Sequence, residues 1–294
     1  MKELDNYRIL QELGKQSIRK FGKVYLVQHK ETGHKAVLKH LEKATVKETI
    51  VDRLRSEASF NFNLKGLPKI ISSFEDELQI ILLKSYEVGI PLDEYWLKVK
   101  RKDRLSKIKT IVQELVPLFE HLQQQSIVHC DLKPSNILVK EDEARISVAL
   151  IDFGMATRYP SNEKRSVLFP LGYAAPELIL NEFSIIDQRT DYYALGILLW
   201  RLFENKLPLI HPNPSIYTNL QLNHPTPDGE AIPKELMLVI HRLTTKYAFE
   251  IPPNQLSAME RIEKLKIGMY NRPASIQEIA EEINQIKEKR WLFF

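Results

Sequence analysis

The sequence contains very little cysteine, and this limits the classes of protein to which it can belong. Cys130 is the single cysteine among 294 residues. One thiol excludes an internal disulfide framework and a cysteine-based zinc site, and it is compatible with a reducing compartment. We therefore predict a cytoplasmic location.

Long apolar runs and a strong charge imbalance are also missing. The best candidate for a membrane span, residues 194–203, is short and contains Arg201, so it predicts a buried helix instead of a span of about 20 residues. The opening sequence MKELDNYRIL lacks the apolar core of a signal peptide. The formal net charge of +4 is small for this length and argues against a dedicated nucleic-acid binder. We expect no membrane span and no nucleic-acid partner.

Two short segments carry the residue types that phosphoryl transfer requires. Residues 129–136 read H-C-D-L-K-P-S-N, and residues 152–154 read D-F-G. Transfer of phosphate from a nucleotide depends mainly on placing a hydroxyl and on neutralising phosphate charge. Asp131 can accept or orient the proton of that hydroxyl, and Lys133 can reach the transferring phosphate.

Asn136 and Asp152 are the candidate metal ligands, because amide and carboxylate oxygens suit paired Mg²⁺ ions. A further motif, A-P-E at 175–177, makes a chance match a poor explanation. These motifs resemble those of the eukaryotic-like (Hanks-type) serine/threonine protein kinase family, and the resemblance runs over residues 7–285. The wording D-L-K-P-S-N-I-L resembles bacterial members of that family.

The resemblance implies an α+β, bilobal protein kinase fold. It implies a small β-sheet N-lobe with one main helix at residues 1–86, and a larger, mainly helical C-lobe at 87–294. Segment 247–270 is longer than the corresponding segment of relatives and predicts an insertion with a helical stretch of its own. The resemblance also implies ATP with Mg²⁺ or Mn²⁺, and a protein substrate with a serine or threonine acceptor.

The apolar pattern of the first part of the chain predicts three strands and one helix, at 7–13, 22–30, 34–41 and 46–64. Lys39 ends a stretch that resembles the V-A-I-K strand of the family, so it is expected to reach the α- and β-phosphates. Glu57 is expected to pair with Lys39 and align it. Glu48 is a rival for this pairing, but it lies at the helix start, where the helix dipole favours an acid anyway.

The glycine loop that covers the phosphates departs from the family pattern G-x-G-x-x-G-x-V. Gly14, Gly22 and Val24 match its outer positions, but the middle glycine is absent and extra residues intervene. Arg19 and Lys20 lie among these extra residues, where they are either solvated or in contact with phosphate. The resemblance places the adenine against three side chains and a stretch of hinge backbone: Val24, Ala36, Leu138 and Ser85, Tyr86, Glu87.

Other positions also differ from the family. Lys84 is expected to flank the back of the nucleotide pocket, where a lysine is unusual. Cys130 stands where many relatives have an arginine that pairs with an activation-loop phosphate, so we expect activity without strict dependence on such a phosphate. Pro170 stands where a threonine hydroxyl normally bridges the catalytic aspartate and lysine. The candidate autophosphorylation sites of this segment are Thr157, Ser161 and Ser166.

Three further residues are expected to brace the fold. The resemblance implies that Glu177 pairs with Arg272. It also implies that Asp191 bonds the backbone of the catalytic segment.

Two other functions stay open beside an active protein kinase. A pseudokinase scaffold, which binds nucleotide or partners without transfer, would explain the glycine loop, Pro170 and Asn61, which stands where an apolar residue is usual. A small-molecule kinase of the aminoglycoside or choline type also uses a catalytic aspartate and a metal-binding pair. Lys133 and the A-P-E segment argue against that type. We predict a serine/threonine protein kinase with Asp131 as catalytic base.

Overall fold

The chain folds into two compact units. The computed structural model describes residues 4–13, 22–143, 145–161 and 169–287. The first unit comprises Met1–Val88 and Ala149–Ala156, and the second comprises Gly89–Val148 and Thr157–Phe294. Within the described ranges, no helix combines the length and the apolar character that crossing a membrane requires.

A five-stranded sheet forms most of the first unit. Its strands are β1 (Tyr7–Leu13), β2 (Lys23–His29), β3 (Lys35–Glu42), β4 (Ile70–Glu75) and β5 (Gln79–Ser85). They pair in the order β1-β2-β3-β5-β4, and every pairing is antiparallel. Strand β5 is buried on both faces, as expected for a strand with neighbours on both sides and a helix across it. The three strands predicted from the apolar pattern are confirmed to within one residue at each end.

Helix α1 (Glu48–Ala58) packs against this sheet through one face. Val51 and Leu54 are buried on that face in a cluster with Leu41, Ile80 and Leu82 of the sheet. Glu57 follows Leu54 at the next helical interval and is also buried. The packing of α1 therefore carries a carboxylate into the apolar side of the sheet.

The predicted helix 46–64 is too long, since α1 ends at Ala58. The chain then continues without regular secondary structure, with Phe60 and Phe62 buried and Asn61 exposed between them. The Asn61 side chain accepts a hydrogen bond from the backbone N–H of Ile70 at 3.0 Å. Asparagine favours such local bonds to the backbone over helical ones. Asn61 is therefore not the polar replacement of an apolar helix residue, and it lends no support to the scaffold hypothesis.

The second unit is mainly helical, which confirms the predicted α+β class. Its helices are α2 (Leu92–Trp96), α3 (Arg104–Gln124), α4 (Pro176–Ile179), α5 (Gln188–Glu204), α6 (Pro214–Asn223), α7 (Lys234–Leu243), α8 (Ala258–Tyr270) and α9 (Ile276–Gln285). The remaining short strands in the described ranges are β6 (Ile90–Pro91), β7 (Ile127–Val128), β8 (Ile137–Glu141), β9 (Ile146–Leu150) and β10 (Thr157–Arg158). Strand β8 lies between β6 and β9, and β7 pairs with β10.

Helix α5 is the centre of the second unit. Its residues are buried around most of the circumference, and Tyr192 and Tyr193 are fully buried. Asp187 precedes the helix and accepts a hydrogen bond from the backbone N–H of Arg189 at 2.8 Å, which caps its first turn. The prediction that residues 194–203 form a buried helix is confirmed.

The segment 247–270, predicted to be an insertion, is packed onto the rest of the second unit. Its helical stretch forms α8. Leu265 of this helix is buried in a cluster with Phe249. Arg261 Nε donates to Glu182 Oε1 at 2.6 Å. The segment is therefore a fixed part of the unit and not a loose appendage.

Candidate active site

Asp191 fixes the backbone on which the candidate catalytic residues lie. Its carboxylate accepts hydrogen bonds from the N–H groups of His129 at 2.7 Å and Cys130 at 2.9 Å, so the predicted contact is confirmed. Cys130 has a φ of 61°, a left-handed conformation that a residue with a side chain rarely adopts. Burial raises the pKa of Asp191, against the His129 ring and the two N–H groups, which lower it.

Asp131 is buried and carries two donors on one of its oxygens. Its Oδ2 accepts from Lys133 Nζ at 2.7 Å and from Asn136 Nδ2 at 3.1 Å. Asn136 Nδ2 also donates to the backbone oxygen of Asp131 at 2.8 Å. No donor in the described part of the chain bonds the buried Oδ1. One oxygen of this carboxylate is thus held in place, while the other can accept a hydrogen bond from a hydroxyl group.

Two lysines and two carboxylates meet in the first unit. Lys39 Nζ lies 2.5 Å from Glu57 Oε2 and 3.0 Å from Asp152 Oδ1. Lys84 Nζ donates to the other Glu57 oxygen, Oε1. The pairing predicted between Lys39 and Glu57 is therefore formed, and Glu48 instead pairs with Arg55. The bond between Lys84 and Glu57 was not predicted from the sequence.

The lysines of this cluster have opposite pKa shifts. Burial alone lowers the pKa of Lys39, but the neighbouring Asp152 and Glu57 together raise it above its ordinary value. Burial lowers the pKa of Lys84, and Lys39 adds to this effect while Glu57 opposes it. Lys39 therefore stays an ammonium over the whole physiological range, and Lys84 loses its proton at a lower pH than an exposed lysine does.

The turn after Asp152 is anchored inside the first unit by aromatic packing. The ring of Phe153 lies with its centroid 4.6 Å from that of Phe62 and 6.3 Å from that of Phe60. Ser56 Oγ of α1 donates to the Ala156 backbone oxygen at 3.3 Å. These contacts hold the D-F-G segment beside α1, which is the helix that also contains Glu57.

Four of the six residues predicted to contact adenine lie on strands, and Tyr86 and Glu87 follow the end of β5. In the first unit, Val24 of β2 is opposite Lys39, and Ala36 of β3 is opposite Ser85 of β5. In the second unit, Leu138 of β8 is opposite Pro91. Ser85, Tyr86 and Glu87 are all half-buried, and Ser85 Oγ donates to Glu87 Oε1 at 2.9 Å.

Of the predicted glycine loop, the structure describes Gly22 but not Gly14, Arg19 or Lys20, which lie outside the described residues. Gly22 has a φ of 84°, and a Cβ there would lie 2.7 Å from the backbone oxygen of His40. Only glycine meets both conditions without strain.

The two candidate metal ligands offer suitable oxygens. Asp152 presents a carboxylate whose side chain is 45% exposed and whose Oδ1 also accepts from Lys39. Asn136 presents a buried amide whose nitrogen bonds Asp131, which leaves its oxygen on the other side of the same group. A carboxylate oxygen and an amide oxygen are each of the kind that binds Mg²⁺ or Mn²⁺.

The candidate phospho-acceptors differ in their surroundings. Thr157 is buried in the second unit, and its Oγ1 donates to the Arg158 backbone oxygen at 3.3 Å. Ser161 is also buried. Ser166 lies outside the described residues. In this conformation, therefore, neither Thr157 nor Ser161 presents an exposed hydroxyl.

Glu177 and Arg272 form the predicted ion pair deep in the second unit. Arg272 Nη1 lies 2.6 Å from Glu177 Oε1, and Nη2 donates to Oε2 at 3.1 Å. Side-chain exposure is 1% for Arg272 and 0% for Glu177. Arg272 Nε donates to the Thr245 backbone oxygen at 2.9 Å, and the guanidinium lies over the Tyr193 ring. The pair thus joins α4, α5 and the chain after α7.

Replacing Arg272 by methionine is expected to lower the free energy of unfolding by about 3–5 kcal/mol, because it leaves the buried Glu177 carboxylate without its partner. Chemical unfolding of the variant measures this. Arg242→Met is the matched control, since Arg242 is 45% exposed in its pair with Glu278. An exposed pair contributes about 1 kcal/mol or less. Equal losses in the two variants would contradict the expectation.

Lys246 is expected to make the stability of the second unit depend on pH. Burial, with the nearby Arg272, lowers its pKa from 10.5 to about 7. Between these values the unfolded chain binds more protons than the folded one. Stability therefore rises with pH across this window, by up to about 1.4 kcal/mol per pH unit from this group, and the contribution is lost as pH falls through 7. Lys246→Met is expected to remove that slope in unfolding measured from pH 7 to pH 10. The exposed Lys98→Met is the control, and an unchanged slope in Lys246→Met would refute the assignment.

Comparison with known proteins adds family information to this geometry. The sequence profile of the protein kinase domain family matches residues 7–267 of this chain. Serine/threonine-protein kinase SBK1 of Danio rerio is 33% identical over 217 residues, which are 71% of this chain and 54% of that protein. Aurora kinase of Yarrowia lipolytica is 29% identical over 212 residues, 71% of this chain and 55% of that protein. Aurora kinase C of Mus musculus is 28% identical over 211 residues, 70% and 72% of the two chains. The chain thus spans about half the length of the first two relatives.

Proposed function

Because this chain belongs to the protein kinase family, we propose that it transfers the γ-phosphate of ATP to serine or threonine hydroxyls of a protein substrate. The observation that carries the proposal is the arrangement of Asp131. Its Oδ2 is held by Lys133 and Asn136, and no donor in the described ranges bonds its buried Oδ1. A carboxylate held in this way can orient a substrate hydroxyl and take its proton.

The other residues of the second unit assist the same step. Lys133 Nζ donates a hydrogen bond to Asp131 Oδ2 at 2.7 Å. Its ammonium group is also suited to the negative charge of a transferring phosphate. Asn136 is the proposed metal ligand of this unit. The metal, Mg²⁺ or Mn²⁺, would neutralise phosphate charge when bound.

The residues of the first unit hold the nucleotide in the proposal. Lys39, aligned by Glu57, contacts the α- and β-phosphates, and Asp152 is the second metal ligand. Gly22, with Gly14, covers the phosphates. The adenine lies against Val24, Ala36 and Leu138, and bonds the backbone of Ser85, Tyr86 and Glu87.

We also propose that the chain is a single protein kinase domain, with an N-lobe at 1–86, a C-lobe at 87–294 and an insertion near 247–270. The bacterial source and the cytoplasmic location stay predictions. So does autophosphorylation, for which Thr157 and Ser161 would first have to become exposed.

A pseudokinase scaffold is the second candidate, supported by two sequence features. The glycine loop lacks its middle glycine, and Pro170 replaces the hydroxyl that normally bridges the catalytic residues. The contacts of Asp131 and Lys39 argue against the scaffold. Asp131 is held by Lys133 and Asn136, as expected of a catalytic base, and Lys39 pairs with Glu57, as expected of a lysine that binds phosphate.

Phosphate incorporation from labelled ATP decides between these candidates. The chain is incubated with Mg²⁺ or Mn²⁺, with and without a generic protein substrate, and the labelled amino acid is identified. Label on serine or threonine of protein supports the proposal. Measurable ATP binding without incorporation would favour the scaffold instead.

A further inference from the structure

Glu57 accepts a hydrogen bond from a second lysine, Lys84, which has no role in the proposed transfer step. Lys39 bonds its Oε2 at 2.5 Å, and Lys84 bonds its Oε1. Side-chain exposure is 3% for Glu57 and 5% for Lys84. Each oxygen of this buried carboxylate therefore has its own ammonium donor, and the two donors come from different strands.

The charges explain why a second lysine matters here. Lys39 is shared between two carboxylates, those of Glu57 and Asp152, and Lys84 gives the buried Glu57 an ammonium of its own. A charge left without a partner inside a protein is strongly unfavourable. In the proposed reaction, Lys39 must also serve the nucleotide phosphates. Whenever its ammonium is shared with a phosphate, Lys84 still bonds Glu57.

The position of Lys84 makes it a rigid support. It lies on β5, which is paired with β3 on one side and β4 on the other. Opposite residues of an antiparallel pair share a face of the sheet, and so do residues two apart. Lys39 is opposite Leu82, so Lys84 shares the face against which α1 packs. A side chain on a central strand is held more precisely than one on a loop.

We propose that Lys84 is a positioning residue, which holds Glu57 toward the sheet and so keeps Lys39 aimed at the nucleotide phosphates. Lys84 acts through Glu57 and has no assigned contact with the nucleotide. The inference rests on the proposed use of ATP but not on phosphate transfer, so the two can fail separately.

The affinities for ATP and adenosine test this role, because adenosine has no phosphate for Lys39 to meet. Both are measured by calorimetry at fixed pH and Mg²⁺ for wild type and for Lys84→Met, which keeps the length of the side chain but not its charge. We expect the ATP affinity to fall by about tenfold, as for loss of one charge-assisted hydrogen bond. The adenosine affinity should not change. A residue that only shapes the pocket would alter both affinities equally, and that result would overturn the inference.

The Glu57→Gln background shows whether Lys84 acts through Glu57. There, Lys84→Met should lower the ATP affinity no further, and a second tenfold loss would contradict the proposed route. Lys43→Met is the matched control in the same unit, because Lys43 pairs with Glu75 at 2.6 Å and not with Glu57, and the side chains of that pair are 20% and 33% exposed. It should bind both ligands like wild type.

Folding and activity are followed separately. Thermal unfolding is measured for every variant, and Lys84→Gln replaces Lys84→Met if the latter does not fold. Failure of both to fold would overturn the inference, because Lys84 would then be a purely structural residue. Wild type that prefers ATP over adenosine but transfers no phosphate would overturn only the proposed kinase activity. Wild type that binds neither ligand would overturn both.

Discussion

Asp131→Asn is expected to lower the rate of phosphate transfer by about 10²–10⁴-fold, the usual contribution of a positioned general base. Asparagine is isosteric with aspartate, so its side-chain oxygen can still accept from Lys133 and Asn136, as Oδ2 does. Its amide nitrogen then stands at the Oδ1 position, where a donor replaces the acceptor that a substrate hydroxyl requires. The variant should keep the fold and lose the chemistry.

Steady-state rates of incorporation, together with thermal unfolding, measure this expectation. Asp142→Asn is the matched control, because it makes the same isosteric change on the same unit at a side chain that is 56% exposed. It should transfer phosphate at the wild-type rate. Wild-type activity in Asp131→Asn, with the variant folded, would rule out Asp131 as the base and the serine/threonine kinase mechanism built on it.

The chemistry of the candidate site could be predicted from the sequence because the motifs that resemble those of the family are short and contiguous. The motifs that contain Asp131 and Asp152 identify the candidate catalytic and metal-binding residues, and the resemblance to the family predicts which residues they pair with. Two partnerships that join distant parts of the chain, Asp191 with the backbone of Cys130 and Glu177 with Arg272, are present as predicted. The roles of these residues in catalysis stay predictions.

The end of α1 could not be read from the sequence, because apolar residues continue after it. Phe60 and Phe62 fit a helical pattern as well as an extended one, and period alone does not separate the two over a few residues. Tertiary packing decides the matter, since Phe62 is needed against Phe153. Beyond the end of the helix, the Asn61 side chain accepts a hydrogen bond from the backbone N–H of Ile70, the first residue of β4.

The contact between Lys84 and Glu57 was missed for a different reason. From the sequence, Lys84 was predicted to flank the back of the nucleotide pocket, and Glu57 was predicted to pair with Lys39 alone. The signal was the sheet register: once Lys39 is placed opposite Leu82, alternation puts Lys84 on the face that α1 covers. A buried lysine on that face requires a carboxylate, and Glu57 is the buried acid of α1.

Lys39→Met is expected to lower the rate of transfer by about 10²–10³-fold, the size of effect seen when one preorganised donor to a developing charge is removed. The variant loses the ammonium that lies 2.5 Å from Glu57 and 3.0 Å from Asp152. It should still fold, because Lys84 continues to neutralise Glu57. Incorporation rates and thermal unfolding of the same preparation measure both parts of this expectation.

Lys35→Met, on the same strand but at an exposed side chain, is the control and should retain wild-type activity. Full activity in Lys39→Met would contradict the assignment of Lys39 to the phosphates. The double variant Lys39→Met/Lys84→Met separates the two lysines further, since it leaves the buried Glu57 with neither ammonium. We expect it to lose about 3–5 kcal/mol of unfolding free energy, as buried carboxylates do when their partners are removed. If the double variant were as stable as Lys39→Met, Lys84 would not be what keeps Glu57 neutralised, and the tolerance of the single substitution would need another source.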